Sequence, residues 1–169
     1  MQNNYAFIDG QNLYLNIVSQ GWKLDYMKFR LYLKEKYGIA KAFIFLGYLS
    51  ENESMYSFLI KCGFVIIFKE ITLDSLDKIK GNCDVELALQ TMIEFLTYDK
   101  AVIVSGDGDF YCLAKHLFSN KKLKKIIVPN ESCYSRLFKR LDNNKYSQVT
   151  FMNLLKDKLE YFSKIKRTP

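Results

Sequence analysis

The chain has 169 residues, 49% of them apolar and 15% aromatic, with only two prolines and eight glycines; this suits one well-packed domain and excludes a disordered chain. Its 25 basic and 18 acidic residues leave a net charge of +7, which favours a polyanionic partner. Cys62, Cys83, Cys112 and Cys133 form no CxxC pair and His116 is the single histidine, so a zinc site is excluded and the cysteines read as small apolar residues.

In chain order, the first apolar run covers residues 5–8 and ends directly on Asp9, followed by Gly10-Gln11-Asn12. Asp25 can cap a helix that carries Phe29, Leu33 and Tyr37 inward and stops at Gly38. A second apolar run spans 42–49. Ser50 or Asn52 then opens a helix with Met55, Phe58 and Leu59 on one face, ending at Gly63. A third run covers 64–68. Residues 71–82 lack periodicity and read as a mobile loop leading into a longer amphipathic helix, which starts at Asp84 and carries Leu87, Ala88, Met92 and Phe95 or Leu96. The fourth run, 101–104, is followed by Ser105-Gly106-Asp107-Gly108-Asp109 and a helix from about Phe110, on which His116 is a surface or boundary residue. The fifth run, 126–128, precedes a helix from about Ser132 with Leu137 and Leu141 inward. A short strand candidate follows Tyr146, then a helix over about 153–162 and a basic tail, residues 164–167.

Each apolar run is too short for a helix and is bounded by turn or charged residues, as expected of strands buried on both faces. Five strand–helix alternations predict a three-layer α/β domain around a mostly parallel five-stranded sheet, with ligands bound beyond the carboxyl ends of the strands. Residues 1–150 form this domain, and residues 151–169 are a C-terminal helix and tail that belong to it or are appended to it. The chain shows no leader pattern and no stretch of 18 apolar residues, so a cytoplasmic location without a membrane span is expected.

The aspartates fall where such a sheet presents a site. Asp9 follows the first strand, Asp107 and Asp109 follow the fourth, and Asp84 opens a helix. Singly, each suits a cap or a tight turn, and Asp84 with Glu86 suits a helix N-terminus. Together at strand ends they predict converging carboxylates, which repel unless a cation lies among them. Mg²⁺ or Mn²⁺ is the natural choice for hard oxygen ligands, and such an ion can activate water and offset charge on a phosphate without a histidine base. Glu86 lies on another helix face and reads as solvated. Gly106 and Gly108 read as positions of close ligand approach or positive φ, although no nucleotide-binding glycine motif is present.

Three blocks carry a resemblance: Phe7-Ile8-Asp9-Gly10-Gln11-Asn12-Leu13, Lys80-Gly81-Asn82-Cys83-Asp84-Val85-Glu86-Leu87-Ala88, and Val102-Ile103-Val104-Ser105-Gly106-Asp107-Gly108-Asp109-Phe110. A weaker echo lies at Ser135-Arg136-Leu137 with Leu141-Asp142. Over about residues 4–146 the chain resembles the NYN domain family, in particular its LabA-like branch, within the PIN-like nucleases. The resemblance implies a PIN-like αβα fold, Mg²⁺ or Mn²⁺, and hydrolysis of RNA to leave a 5′-phosphate. By position, Asp9, Asp84, Asp107 and Asp109 would be the catalytic, metal-binding carboxylates. Asn12 would hydrogen-bond Asp9 and hold its orientation, with Ser105 in a similar supporting role. Family members often carry another aspartate six residues after the one matched by Asp84. This chain has Gln90 there, which keeps open a branch that binds RNA without cutting it.

Single-stranded or structured RNA requires basic groups for its backbone and aromatic faces for its bases. Lys78 and Lys80 before Asp84, and Arg136 and Arg140 after the fifth strand, are the favoured contacts, with Lys139 beside them. Lysines 121, 122, 124 and 125 enter that strand from the far edge. Tyr14, Trp22 and Tyr111 are stacking candidates, each more readily explained as core. A haloacid-dehalogenase-like phosphohydrolase is the remaining alternative, but Asp9 is followed by Gly10-Gln11 where that chemistry needs a second aspartate. A homodimer is compatible with the aromatic content.

Overall fold

The computed structural model describes residues 2–69, 72–73, 79–80, 82–141 and 148–162. Six strands form one parallel sheet in the order β3-β2-β1-β6-β7-β8: β1 (Asn4–Asp9), β2 (Ile39–Gly47), β3 (Val65–Lys69), β6 (Ala101–Val104), β7 (Leu123–Val128) and β8 (Val149–Phe151). Between β3 and β6 lies a separate antiparallel pair, β4 (Thr72–Leu73) with β5 (Ile79–Lys80). The helices are α1 (Gly10–Val18), α2 (Tyr26–Tyr37), α3 (Glu53–Lys61), α4 (Asp84–Ile93), α5 (Tyr111–Ser119) and α6 (Lys156–Leu159).

The pleat sorts the strands between two cores. Ala6 and Ile8 of β1, with Ala42, Ile44, Val102 and Val104, face α1, α2 and α3. Tyr5 and Phe7, with Phe43, Phe45 and Ile103, face α4 and α5. This is the three-layer α/β fold expected from the alternating runs, with helices on both sheet faces.

Four expectations need correction. The sheet has six strands: β8 adds to β7 in parallel register, Ile126 opposite Val149, and supplies only three residues, too few for a strong pattern. A helix unread in the sequence, α1, follows β1 at once, capped by Asp9 and burying Leu13 and Ile17 one turn apart. The fifth helix is instead two 3₁₀ turns, Glu131–Cys133 and Arg136–Leu141; Phe138 and Leu141 are buried, and Leu137 is only half-buried. The C-terminal helix is a 3₁₀ turn, Met152–Leu155, running into the four-residue α6, whose Leu159 joins the α1–α2 core while Glu160 bridges to Leu24.

Helix faces also shift. In α3, Tyr56 and Leu59 are buried and Met55 and Phe58 are exposed, so the inward stripe is rotated by one position. In α4, Leu87 and Thr91 are buried, Phe95 packs on the core beyond the helix end, and Met92 and Leu96 are exposed. Lys122 is half-buried at the start of β7. Its ammonium donates to the Phe95 and Tyr98 carbonyls at 2.8 and 2.6 Å and lies 5.0 Å from each ring centre.

Candidate functional site

The sheet order reverses direction between β1 and β6: successive strands run outward through β2 and β3 on one side, and through β7 and β8 on the other. Loops leaving β1 and β6 at their carboxyl ends diverge, which opens a crevice there. Asp9 stands at this point as the last residue of β1 and the N-cap of α1. Gly10 must follow it, because a Cβ there would collide with the Leu46 side chain and the Phe45 carbonyl of β2.

Hydrogen bonds tie the two strand ends together. Asp9 Oδ1 accepts from the Asn12 backbone N–H at 3.0 Å, and Oδ2 accepts from the Ser105 hydroxyl at 3.2 Å. The same Ser105 oxygen, fully buried, accepts from the Asp107 N–H at 3.1 Å. Asn12 Oδ1 accepts from the Gly106 N–H at 3.0 Å. Asn12 thus bonds Asp9 through its backbone N–H, while its side-chain oxygen fastens α1 to the loop after β6.

Asp107 caps the 3₁₀ turn Gly108–Phe110, with Oδ1 accepting from the Asp109 N–H at 3.0 Å. Neither Gly106 nor Gly108 has positive φ; among the described residues the glycines that do are Gly21, Gly38 and Gly63. Gly108 is small because a Cβ would strike Ser135, whose own N–H donates to the Gly106 carbonyl at 2.9 Å. Asp84 is the first residue of α4 and is held by Asn82. That side chain accepts from the Asp84 N–H at 2.9 Å and donates to Asp84 Oδ2 at 2.6 Å.

Carboxylate oxygens of Asp84, Asp107 and Asp109 lie within 4.8 Å of one another. Asp9 shares with Asp84 and Asp107 the wall of a cleft of about 220 Å³, though it is not a member of that trio. Burial is the main cause that pushes the Asp9 carboxyl up to about 6; the negative charges of Asp84 and Asp107 add to the rise, and the bonds from Asn12 and Ser105 oppose it. Burial also raises Asp84, with the Asn82 bond and the Lys69 charge opposing and Asp107 and Asp109 reinforcing. Burial again pushes the neighbouring Cys83 thiol up to about 11, which keeps it protonated and unsuited to attack. Among the described residues, the ion pairs are Lys28–Asp25, Lys69–Glu86 and Lys156–Glu160, so no cationic side chain is paired with the four aspartates. A set of hard oxygen donors whose negative charge is only partly offset, by the nearby Lys69, fits a divalent cation such as Mg²⁺ or Mn²⁺.

One contributor was not foreseen. Lys69, at the end of β3, donates to the Asn82 carbonyl at 2.6 Å and pairs with Glu86 at 3.2 Å. It thus braces the turn that presents Asp84, and Glu86 is half-buried in this pair rather than solvated. Only a lysine ending an otherwise apolar run hinted at it. Gln90 points along its own helix and donates to Glu94 at 3.3 Å.

Lys78 lies outside the described residues, as does the side chain of Lys80 in β5. Arg136 and Arg140 are exposed on the 3₁₀ turn that packs against the Gly108–Phe110 turn. Tyr14 is 58% exposed, whereas Trp22 is 4% exposed and is a core residue. Tyr111 is half-buried against the α4–α5 core. His116 is exposed.

The sequence profile of the NYN domain matches residues 5–151. No curated protein matches the chain in sequence. A protein of unknown function from Vibrio parahaemolyticus has a similar structure, with a TM-score of 0.76 at 19% identity, over 95% of this chain and 96% of that one. Weaker similarity, with a TM-score of 0.45 at 12% identity over 77% of this chain and 55% of the other, relates it to the T5 D15 protein co-crystallised with metal ions. A mutant T5 5′-exonuclease gives 0.44 at 16% identity, over 78% and 51%.

Proposed function

The chain belongs to the NYN domain family, and from that premise we propose that it is a divalent-metal-dependent endoribonuclease of the family's LabA-like branch. The observation that carries this reading is the meeting of Asp84, Asp107 and Asp109, with Asp9 on the same cleft and, among the described residues, no basic side chain in an ion pair with any of them. These residues would hold Mg²⁺ or Mn²⁺, which when bound supplies an activated water and offsets charge on the phosphate.

The chain's own residues set the geometry. Ser105 bridges Asp9 and the Asp107 backbone, Asn82 holds Asp84, and Asn12 fixes the loop between Ser105 and Asp107. Carboxylates so restrained need little reordering when a substrate arrives. Arg136 and Arg140, together with Lys78 and Lys80, would attract the RNA backbone. In the reaction, water oxygen bonds to phosphorus and the P–O3′ bond breaks. A proton passes from water to the leaving 3′-oxygen, leaving 5′-phosphate and 3′-hydroxyl ends.

The test is cleavage of a labelled single-stranded RNA with Mn²⁺, Mg²⁺ or EDTA, beside Asp107→Asn. Metal-dependent cutting lost in the variant supports the reading. RNA binding without cutting by either protein would instead favour the non-cleaving branch suggested by Gln90, and absence of both would refute an RNA substrate. A single-stranded DNA of the same sequence separates ribonuclease from general nuclease activity.

A further inference from the structure

Beside the acidic cleft, α1, the end of β2 and α3 enclose a groove of about 500 Å³. We propose that this groove receives an unstacked nucleobase of the strand whose phosphate lies at the aspartates, with Tyr14 as its stacking platform. The inference rests on the reading of the cleft as a phosphodiester-cleaving site, and adds to it where the neighbouring nucleotide goes.

Continuity is the first argument. Gln11 lines both the acidic cleft and the groove, and Gly10, next to Asp9 in the chain, lines the groove. A strand with its phosphate at Asp9 and Asp107 therefore meets the groove as it leaves. The size lies within the roughly 300–1,000 Å³ of small-ligand sites.

Chemistry is the second. A nucleobase has flat apolar faces and a polar edge, and the groove matches both. Tyr14, Tyr56, Leu46 and Met55 supply apolar surface. Tyr56 is rigidly set: its hydroxyl accepts from the Leu49 N–H at 2.9 Å and donates to the Gly47 carbonyl at 3.3 Å, while its ring packs edge-on against Phe68 at 4.7 Å. At the rim, the side-chain amide of Asn52 makes no cap bond to α3 although it occupies the N-cap position. It is left to pair with a base edge, and each such amide offers both donors and an acceptor.

The third argument is Tyr14 itself. Leu13 and Ile17 turn inward on α1, but Tyr14 turns outward and is 58% exposed. It borders this groove and a second one of about 490 Å³ beyond it, where Trp22 lies. An aromatic wall beside a phosphate-handling cleft is the element that single-strand binding uses, since every base has a π-face.

The experiment uses the full chain carrying Asp107→Asn, so that RNA stays intact, and measures anisotropy of a fluorescein-labelled 12-nucleotide single-stranded RNA with Mg²⁺. Adding Tyr14→Ala should weaken binding about 5- to 150-fold, and Tyr14→Phe should restore it to within about twofold. Removing one base beside the scissile position should cause the same loss in the parent and no further loss in Tyr14→Ala, which a general change in shape would not produce. Circular dichroism and an unchanged Tm establish that the exposed substitution leaves the fold intact. If RNA is bound and cut by the chain but Tyr14→Ala binds as the parent does, the groove assignment falls and the nuclease reading stands. If the chain neither binds nor cuts RNA, both fall together.

Discussion

Replacing Asp9 by Asn removes a charge that the fold holds at a cost, so it should stabilise the metal-free protein. Burial pushes the Asp9 carboxyl up to about 6 from the ordinary 3.8, so the folded state binds more protons than the unfolded state between those limits. Stability therefore falls as pH rises from about 4 through 6, and above 6 the ionised carboxylate carries the full penalty. About two units at 1.36 kcal/mol each set a ceiling of about 3 kcal/mol. Asn can still accept the Asn12 N–H as a cap, but its amide redirects the Ser105 hydroxyl, which costs about 1 kcal/mol. The net gain is about 1–2 kcal/mol, or about 2–8 °C in Tm for a chain of this length. The assay is thermal unfolding followed by circular dichroism in EDTA, at pH 4 and pH 7.5. Asp9→Asn should melt higher at pH 7.5 and slightly lower than the parent at pH 4, where the charge penalty is largely gone and the cost of the redirected Ser105 hydroxyl outweighs it. Saturating Mn²⁺ should raise the parent's Tm more than the variant's, by linkage. A variant that melts lower at both pH values, or a gap that ignores pH, would refute the claim that burial and neighbouring charge strain this carboxylate.

Ser105→Ala should lower stability by about 1–3 kcal/mol in urea unfolding, because the half-buried Asp107 N–H and Asp9 both lose a partner. Gly10→Ala should destabilise by about 1–3 kcal/mol in the same assay, despite Ala's better helix propensity, because its Cβ drives α1 off β2; a gain would show that propensity wins there. Lys69→Met should weaken Mn²⁺ affinity several-fold, read as a smaller Mn²⁺-induced rise in Tm, by freeing the turn that carries Asp84. Lys69→Arg should recover part of it.

What the sequence disclosed follows from how locally each feature is encoded. The runs at 5–8, 101–104 and 126–128 lie wholly in strands, because a strand covered on both faces must be apolar throughout. The run at 64–68 instead supplies the edge strand β3, where Val65 and Phe68 are exposed. Asp9, Asp107 and Asp109 could be placed from the strand ends alone, since a parallel sheet brings those ends to one edge, while Asp84 was placed only as the opening of a helix. Helix α1 escaped because its inward face is only Leu13 and Ile17, while Tyr14, Leu15 and Val18 are apolar but exposed, which blurs the periodicity. The 3₁₀ turns at Glu131–Cys133 and Arg136–Leu141 take helix-forming residues but are bent by tertiary packing against the Gly108 turn. Lys69 and the Asn12 side chain act on partners 13 and 94 residues distant in sequence, and no local pattern announces such bonds.

The inward-facing Lys122 alters how the formal charge should be counted. Its ammonium is engaged by two carbonyls and set over two rings at the end of the sheet opposite the aspartates. A cation held this way has few counterions to shed and little reach toward a phosphate. The salt dependence of nucleic-acid binding should therefore register the exposed Arg136 and Arg140 and be nearly insensitive to Lys122. Substituting Lys122 would instead appear as a loosening of the Phe95–Tyr98 segment, a structural injury on a residue that simple tallies assign to binding.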